Sequence, residues 1–292
     1  GFATSVFNFK LLGLYTGLLT EDNNPYGLSD KDYTDGAERV FSGGTVSADI
    51  VNQRIYLFGL VQIDRADQDS DNKTRYNSEY YGAGIEGVVL KDVFYYAEAV
   101  FESGESYITR PDGNEKSKIA AYAVNSGINY FIPVSFNPTL VFQYAFGSGD
   151  KYRDDYTNGN RPDGATGYDE GFISFGTYSG GYALKPVLSN MHVFRCGITA
   201  APFAGSGSMM LRKLSAGAKY SYYMKDEKES PIKTGEAELA ETEIGQGVDV
   251  SFRWQLFYDL SFYVNYGLFM PGAAYEDDSA RNFVMTGLNL SF

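Results

Sequence analysis

Charged side chains recur in this sequence at positions that an alternating strand would turn to a single side. Lys10, Arg195, Lys213, Lys219 and Arg253 form a basic set; Asp49, Asp64, Glu86, Glu98, Glu102 and Asp249 form an acidic one. Residues of the opposite parity are apolar. Val248, Val250, Phe252, Trp254 and Leu256 run past Asp249 and Arg253, and Leu140, Phe142, Tyr144 and Phe146 form another row free of charge. A period of two is that of a strand with one wet and one oily face. So many charges are not tolerated in a dry core, whereas they are tolerated along water. The implied chemistry is a water-filled pore with an acidic wall and a mostly basic wall, whose transverse field orients and filters charged solutes. The same charges paired across a narrow barrel would plug it instead.

Covalent chemistry has fewer candidates. The single histidine, His192, and Ser148 share the parity of Phe194 and Phe146 at neighbouring strand tops, and a Ser–His pair can activate a nucleophile. A hydrolase of the outer-membrane phospholipase kind is therefore one alternative. No glycine-framed serine motif surrounds Ser148, however, and a histidine at a membrane edge more commonly packs. Asp67, Asp69 and Asp71 in one loop, and Asp150, Asp154 and Asp155 in another, are oxygen-rich but lack calcium-loop spacing, so solvated charge is the expected reading and no metal site is expected. Cys196 has outward parity, is a small apolar residue there, and allows no intrachain disulfide. No phosphate-binding glycine loop or haem-attachment motif occurs, and no cofactor is expected.

The elements that must position these residues read as strands throughout. Apolar alternation marks strands at about 4–17, 44–51, 54–65, 78–89, 93–103, 117–131, 139–148, 191–201, 210–225, 245–256, 260–270 and 281–292. Long polar loops follow the odd strands and short turns follow the even ones, without a break. That sorting is expected of an all-β, transmembrane, antiparallel up-and-down β-barrel of about 12 strands, more if the chain is an amino-terminally truncated fragment. Residues 1–292 then form a single barrel domain. Residues 149–190 make its longest loop, on the extracellular side, and the best candidate to fold inward as a constriction. Residues 232–243 admit a short helix.

Composition agrees. Twenty-five Tyr, 21 Phe and 33 Gly suit aromatic girdles, tight turns and crowded lumen positions. A net charge of -13 disfavours nucleic acid as a partner. No run is long and apolar enough for a membrane-spanning helix, which leaves a barrel open.

Three stretches resemble the alginate-export family of outer-membrane porins: Leu140 to Asp150, a strand entering a Ser-Gly-Asp loop; Asp169 to Arg195; and the last strand with Met270 to Tyr275 before it. The resemblance implies a bacterial outer-membrane porin for small hydrophilic or anionic solutes, with both termini periplasmic. It implies contact with outer-membrane lipid and lipopolysaccharide. It also implies a terminal strand, ending at Phe292, that pairs with the first and is read by the barrel assembly machinery. The family's barrel is wider than this chain has room for, so strands are missing from the amino end or the barrel is a smaller relative. A polyanion exporter needs a basic pore; here acidic residues face the basic row. A barrel that sheathes a partner protein is the other reading.

Overall fold

A computed structural model describes residues 7–16, 39–64, 76–111, 113, 115–156, 160–174, 178–233 and 235–291. The strands are β1 (Phe7–Thr16), β2 (Arg39–Ile50), β3 (Gln53–Asp64), β4 (Asn77–Leu90), β5 (Val93–Ile108), β6 (Glu115–Phe131), β7 (Thr139–Gly147), β8 (Asn160–Arg161), β9 (Met191–Ala200), β10 (Leu214–Met224), β11 (Glu243–Gln255), β12 (Leu260–Pro271) and β13 (Arg281–Leu290). Apart from β8, each strand pairs antiparallel with the next in a continuous meander. Twelve meander strands match the number expected from alternation. Among the described residues no ladder joins β13 to β1, so the expected closure of last strand on first is not seen among them.

Register keeps parity across the whole sheet. Phe142 opposes Cys196, which opposes Tyr220, which opposes Val248, which opposes Leu268. That row and the others of its parity face outward and are bare: Phe142 is 53% exposed, Val284 64% and Leu288 66%. A continuous exposed apolar surface around a sheet is the signature of a lipid-facing wall. Glu98, Glu102, Arg195, Lys219, Asp249 and Arg253 have the other parity and face the lumen. On that inner face aromatic rings lie flat across glycines of the adjacent strand. A Cβ added to Gly84 would fall within the Tyr56 ring. The glycine allows the ring to lie along the wall rather than stand into the lumen. Part of the tyrosine and phenylalanine expected in outer girdles therefore lines the inside.

The two ends differ less regularly than expected. β5 and β6 run on as a hairpin beyond the sheet, leaving only residues 109–114 as their connection. At the short-turn end residues 201–213 form a longer connection, because β10 starts only at Leu214 after a single 3-10 turn, Leu211–Lys213. The sorting by length is therefore broken at these two places. No helix forms among the described residues of 232–243, whose turns pack under Ala274 and Tyr275.

Candidate functional site

The largest departure from a plain barrel is the segment between β7 and β9. Its first half lies against the projecting β5–β6 hairpin. β8 pairs parallel with β5, and Asp169 bridges to Ile119. Two arginines lock it. Arg153 donates to Asp169 through Nε at 2.9 Å and Nη2 at 2.5 Å, with both side chains fully buried. Burial works against the Arg153 charge, but Asp169 outweighs it and holds the guanidinium above its ordinary range. Arg161 pairs with Asp150 at 3.0 Å and donates to Ser117 and to the carbonyls of Thr166 and Gly167. The loop after β10 joins them: Asn190 donates to the carbonyls of Glu227, Ser230 and Pro231. Its Lys225 is buried, donates to Lys228 O and Leu239 O, and is pushed down to about 8 by that burial.

Within 149–190, the stretch expected to fold inward, it is the described residues of the second half that turn into the lumen. Ile173 N–H donates to Glu102 Oε2 at 2.9 Å, and Tyr80 Oη donates to Ile173 O at the same distance. Across the lumen Arg195 donates to Ser179 O at 3.0 Å and to Gly180 O, which Tyr223 Oη also reaches at 2.7 Å. Tyr182 N–H donates to Asp249 Oδ1 at 3.0 Å. Gly267 makes room for this crossing: a Cβ there would stand 2.7 Å from Tyr182 Cβ and 2.8 Å from Ala183 N. Lys185 then lies over the Phe283 ring at 4.3 Å. The segment thus spans from β4 and β5 to β9–β13. Phe172, Leu184 and Leu188 bury against Tyr80, Ala123, Met191 and Val193 as the apolar core of that end.

This crossing sorts the expected pore residues. Arg195 and Glu102 are buried and committed to loop groups, so neither belongs to an open wall; Glu102 also accepts from Tyr76 Oη. Lys213 is not on a strand at all. It sits exposed in the 3-10 turn at the far end. Asp249 serves the loop. Lys219 and Arg253 remain on the lumen face without a hydrogen bond or ion pair among the described residues, and Asp49, Glu86 and Glu98 remain on the opposite wall. The side chains of Lys10 and Asp64 lie outside the described residues, as do Asp67, Asp69, Asp71 and Phe292.

Arg54 was missing from the sequence reading. It stands opposite both Asp49 and Glu86 in register and lies 3.6 Å from Glu86 Oε1. Its parity with Gln62 on the same strand was the available signal.

The alternative chemistries lose their geometry. β7 ends at Gly147, so Ser148 is buried at the loop root, where its hydroxyl donates to Glu170 O and accepts from Tyr122 N–H. His192 instead contacts Tyr144 Oη through Nδ1 at 2.9 Å and lies 3.5 Å from Asp226. Asp150 is engaged with Arg161, and no group of acidic, His or Cys side chains among the described residues could hold a metal ion. Cys196 is free and on the outward face.

Bare outer rows, charged inner rows and a loop seated in the lumen define a porin-like outer-membrane β-barrel. The family model for alginate export matches residues 37–286, and the chain belongs to that family. No curated protein matches the chain. Among solved structures it is similar to the NanC porin, at 8% identity, 87% of this chain and 94% of that one, with a TM-score of 0.37. It is similar also to Pseudomonas aeruginosa OccK11 (OpdR), at 13% identity over 98% and 78% with TM-score 0.41. The third is BamA from Haemophilus ducreyi lacking POTRA domains 1-3, at 9% identity over 98% and 64% with TM-score 0.38.

Proposed function

We propose that this chain is a bacterial outer-membrane porin that passes small hydrophilic solutes, anionic ones among them, by passive diffusion. The observation that carries the reading is the seating of residues 171–174 and 178–188 across the lumen between Glu102 and Arg195. It narrows one end to a constriction and leaves charged walls lining the other. Lys219 and Arg253 are the groups that meet anionic solutes; Asp49, Glu86 and Glu98 oppose them. Arg195 acts through the loop it holds. The long connections then face the cell exterior, the short turns and both termini face the periplasm, and the last strand is the part read by the assembly machinery. The family membership supports transport of an anionic substrate class.

The test is conductance and ion selectivity in planar bilayers. Three proteins are compared: wild type, a variant with 171–188 replaced by a Gly-Ser linker, and Lys219→Ser/Arg253→Ser. The trimmed variant is expected to conduct severalfold more than wild type, and the double variant to lose anion preference at unchanged conductance. Equal conductance with and without 171–188 would remove the constriction. Folded, inserted protein that never conducts, trimmed or not, would move the assignment to a barrel sheathing a partner protein.

A further inference from the structure

Beneath the inward segment, against the acidic wall to which Glu98 belongs, lies a cavity of about 230 Å³ to which the porin reading assigns no ligand. Its polar groups are few: one carboxylate, Glu98, one amide, Asn125, and the hydroxyls of Ser174, Tyr80 and Tyr178, of which that of Tyr80 is spent on Ile173 O. Glu98 and Asn125 enter it from neighbouring positions on β5 and β6. Glu98 is oriented by Tyr56, whose hydroxyl donates to Oε2 at 2.7 Å, leaving Oε1 to accept from something else. Asn125 has no side-chain partner among the described residues. Apart from Ser174 the remaining surface is apolar and aromatic, with Phe58, Phe172, Tyr178 and Leu188 among its lining.

No cation lines the cavity. Arg54 is occupied by Ser47 and Glu86, and Arg195 by the loop carbonyls. An anion would therefore meet a carboxylate, an amide and hydroxyls, with no positive charge among them. A sugar would bring hydroxyls around its whole rim to a surface that is mostly apolar and aromatic, at a cost for each one left unpaired. A carboxylate faced by aromatic rings is the chemistry that holds an organic cation: the charge pairs with oxygen, the body packs on the rings, and the ring faces add their own attraction to the cation. We infer that this cavity is a binding site for a small primary ammonium carrying an aromatic or compact apolar body. Glu98 takes the charge, Asn125 accepts a second ammonium hydrogen through its carbonyl oxygen, and Phe58, Phe172 and Tyr178 hold the body. The site lies on the wall opposite Lys219 and Arg253, and its occupation does not require that solutes cross the barrel.

The test is titration calorimetry on the full chain folded in neutral-detergent micelles, which reads the cavity and not the pore. The probes are 2-phenylethylammonium and its neutral counterpart 2-phenylethanol. Wild type is expected to bind the ammonium saturably and about tenfold or more tightly than the alcohol, the size of one charge-assisted hydrogen bond. Glu98→Gln keeps an acceptor for Tyr56 and is expected to erase that preference. Glu86→Gln, on the same wall but outside the cavity, is expected to leave it intact. Val100→Phe, which fills the cavity without changing charge, is expected to abolish binding of both probes. Equal binding of the two probes, a preference that survives Glu98→Gln, binding that survives Val100→Phe, or no saturable heat in folded wild type would each overturn the assignment. A protein that conducts but fails this titration would lose the cation site and keep the pore.

Discussion

The two ends of the lumen handle charge in opposite ways. At the long-connection end the charges under the loop are spent on fixed partners: Arg153 on Asp169, Arg161 on Asp150, Glu102 on Tyr76 and Ile173, Arg195 on loop carbonyls. At the short-turn end charges stay half-exposed and loosely paired, as in Arg54 and Glu86 at 3.6 Å, or without a hydrogen bond or ion pair among the described residues, as in Arg253; Lys219 stands at the boundary, opposite Asp249. The difference follows from water. Where the loop excludes it, an unpaired charge is costly, so each one must find a fixed partner. Where no loop covers the wall, side chains such as Arg54, Glu86 and Arg253 stay exposed to solvent and need no fixed partner. One inward face thus provides a rigid stopper and a responsive vestibule, and the boundary between them is the level of Asp249.

If that contrast holds, Arg153→Ala should be the most damaging change. It leaves Asp169 fully buried without its cation, for which a loss of roughly 3–5 kcal/mol is expected. The strands beneath keep their ladders, so the loss should appear as protease cleavage within 148–190 before the sheet melts. Arg153→Met combined with Asp169→Leu should recover much of it, since an apolar pair replaces a buried ion pair with little penalty. Unchanged proteolysis in Arg153→Ala would mean that the long-connection end is not the dry region described.

Gly267→Val asks whether the loop is seated by shape as well as charge. The new side chain meets Tyr182 and the Ala183 backbone, so the loop must shift, at about 1–3 kcal/mol of overpacking. Conductance should rise, since no lumen charge has changed and the β11–β12 ladder is retained. Gly59→Ala, where a Cβ would meet only Tyr80 O at 3.9 Å, should leave conductance unchanged. Equal effects from the two would break the link between loop seating and channel width.

The sequence disclosed the walls far better than the stopper, and the reason is the range of the signal. Parity is local: once Val248 and Val250 are known to alternate with Asp249, the face of each is set, and register carries it to the next strand. The strands and the lumen placement of Glu98, Lys219 and Arg253 were readable on that basis. The loop has no period. Its seat depends on backbone groups at Ile173, Ser179, Gly180 and Tyr182 meeting side chains far away in the chain, and nothing at those positions marks them. Arg195 and Glu102 have inward parity yet meet loop groups rather than open lumen, because parity shows where a side chain points and not what fills the space before it. Lys213 failed differently. Alternation was continued past the true start of β10, into a turn where parity has no meaning.

The smallest expected effect lies at the wet end, and there a small value is informative. In Glu86→Gln the ion pair with Arg54 is lost, yet both side chains are about two-fifths exposed, at 38% and 39%. Such a pair contributes about 0–1 kcal/mol. The melting midpoint should barely move, and the remaining difference should vanish at 1 M salt, where the screening length is about 3 Å. Selectivity should move more than stability. Removing one carboxylate leaves Arg54 facing Asp49 alone and shifts the vestibule toward anions, and a reversal-potential measurement at low salt would register it. A stability loss near that of Arg153→Ala would mean that the vestibule is as dry as the stopper and that its charges are structural. A selectivity shift without a stability loss would place Arg54 beside Lys219 and Arg253 as a third cation that meets solutes, on the wall opposite theirs.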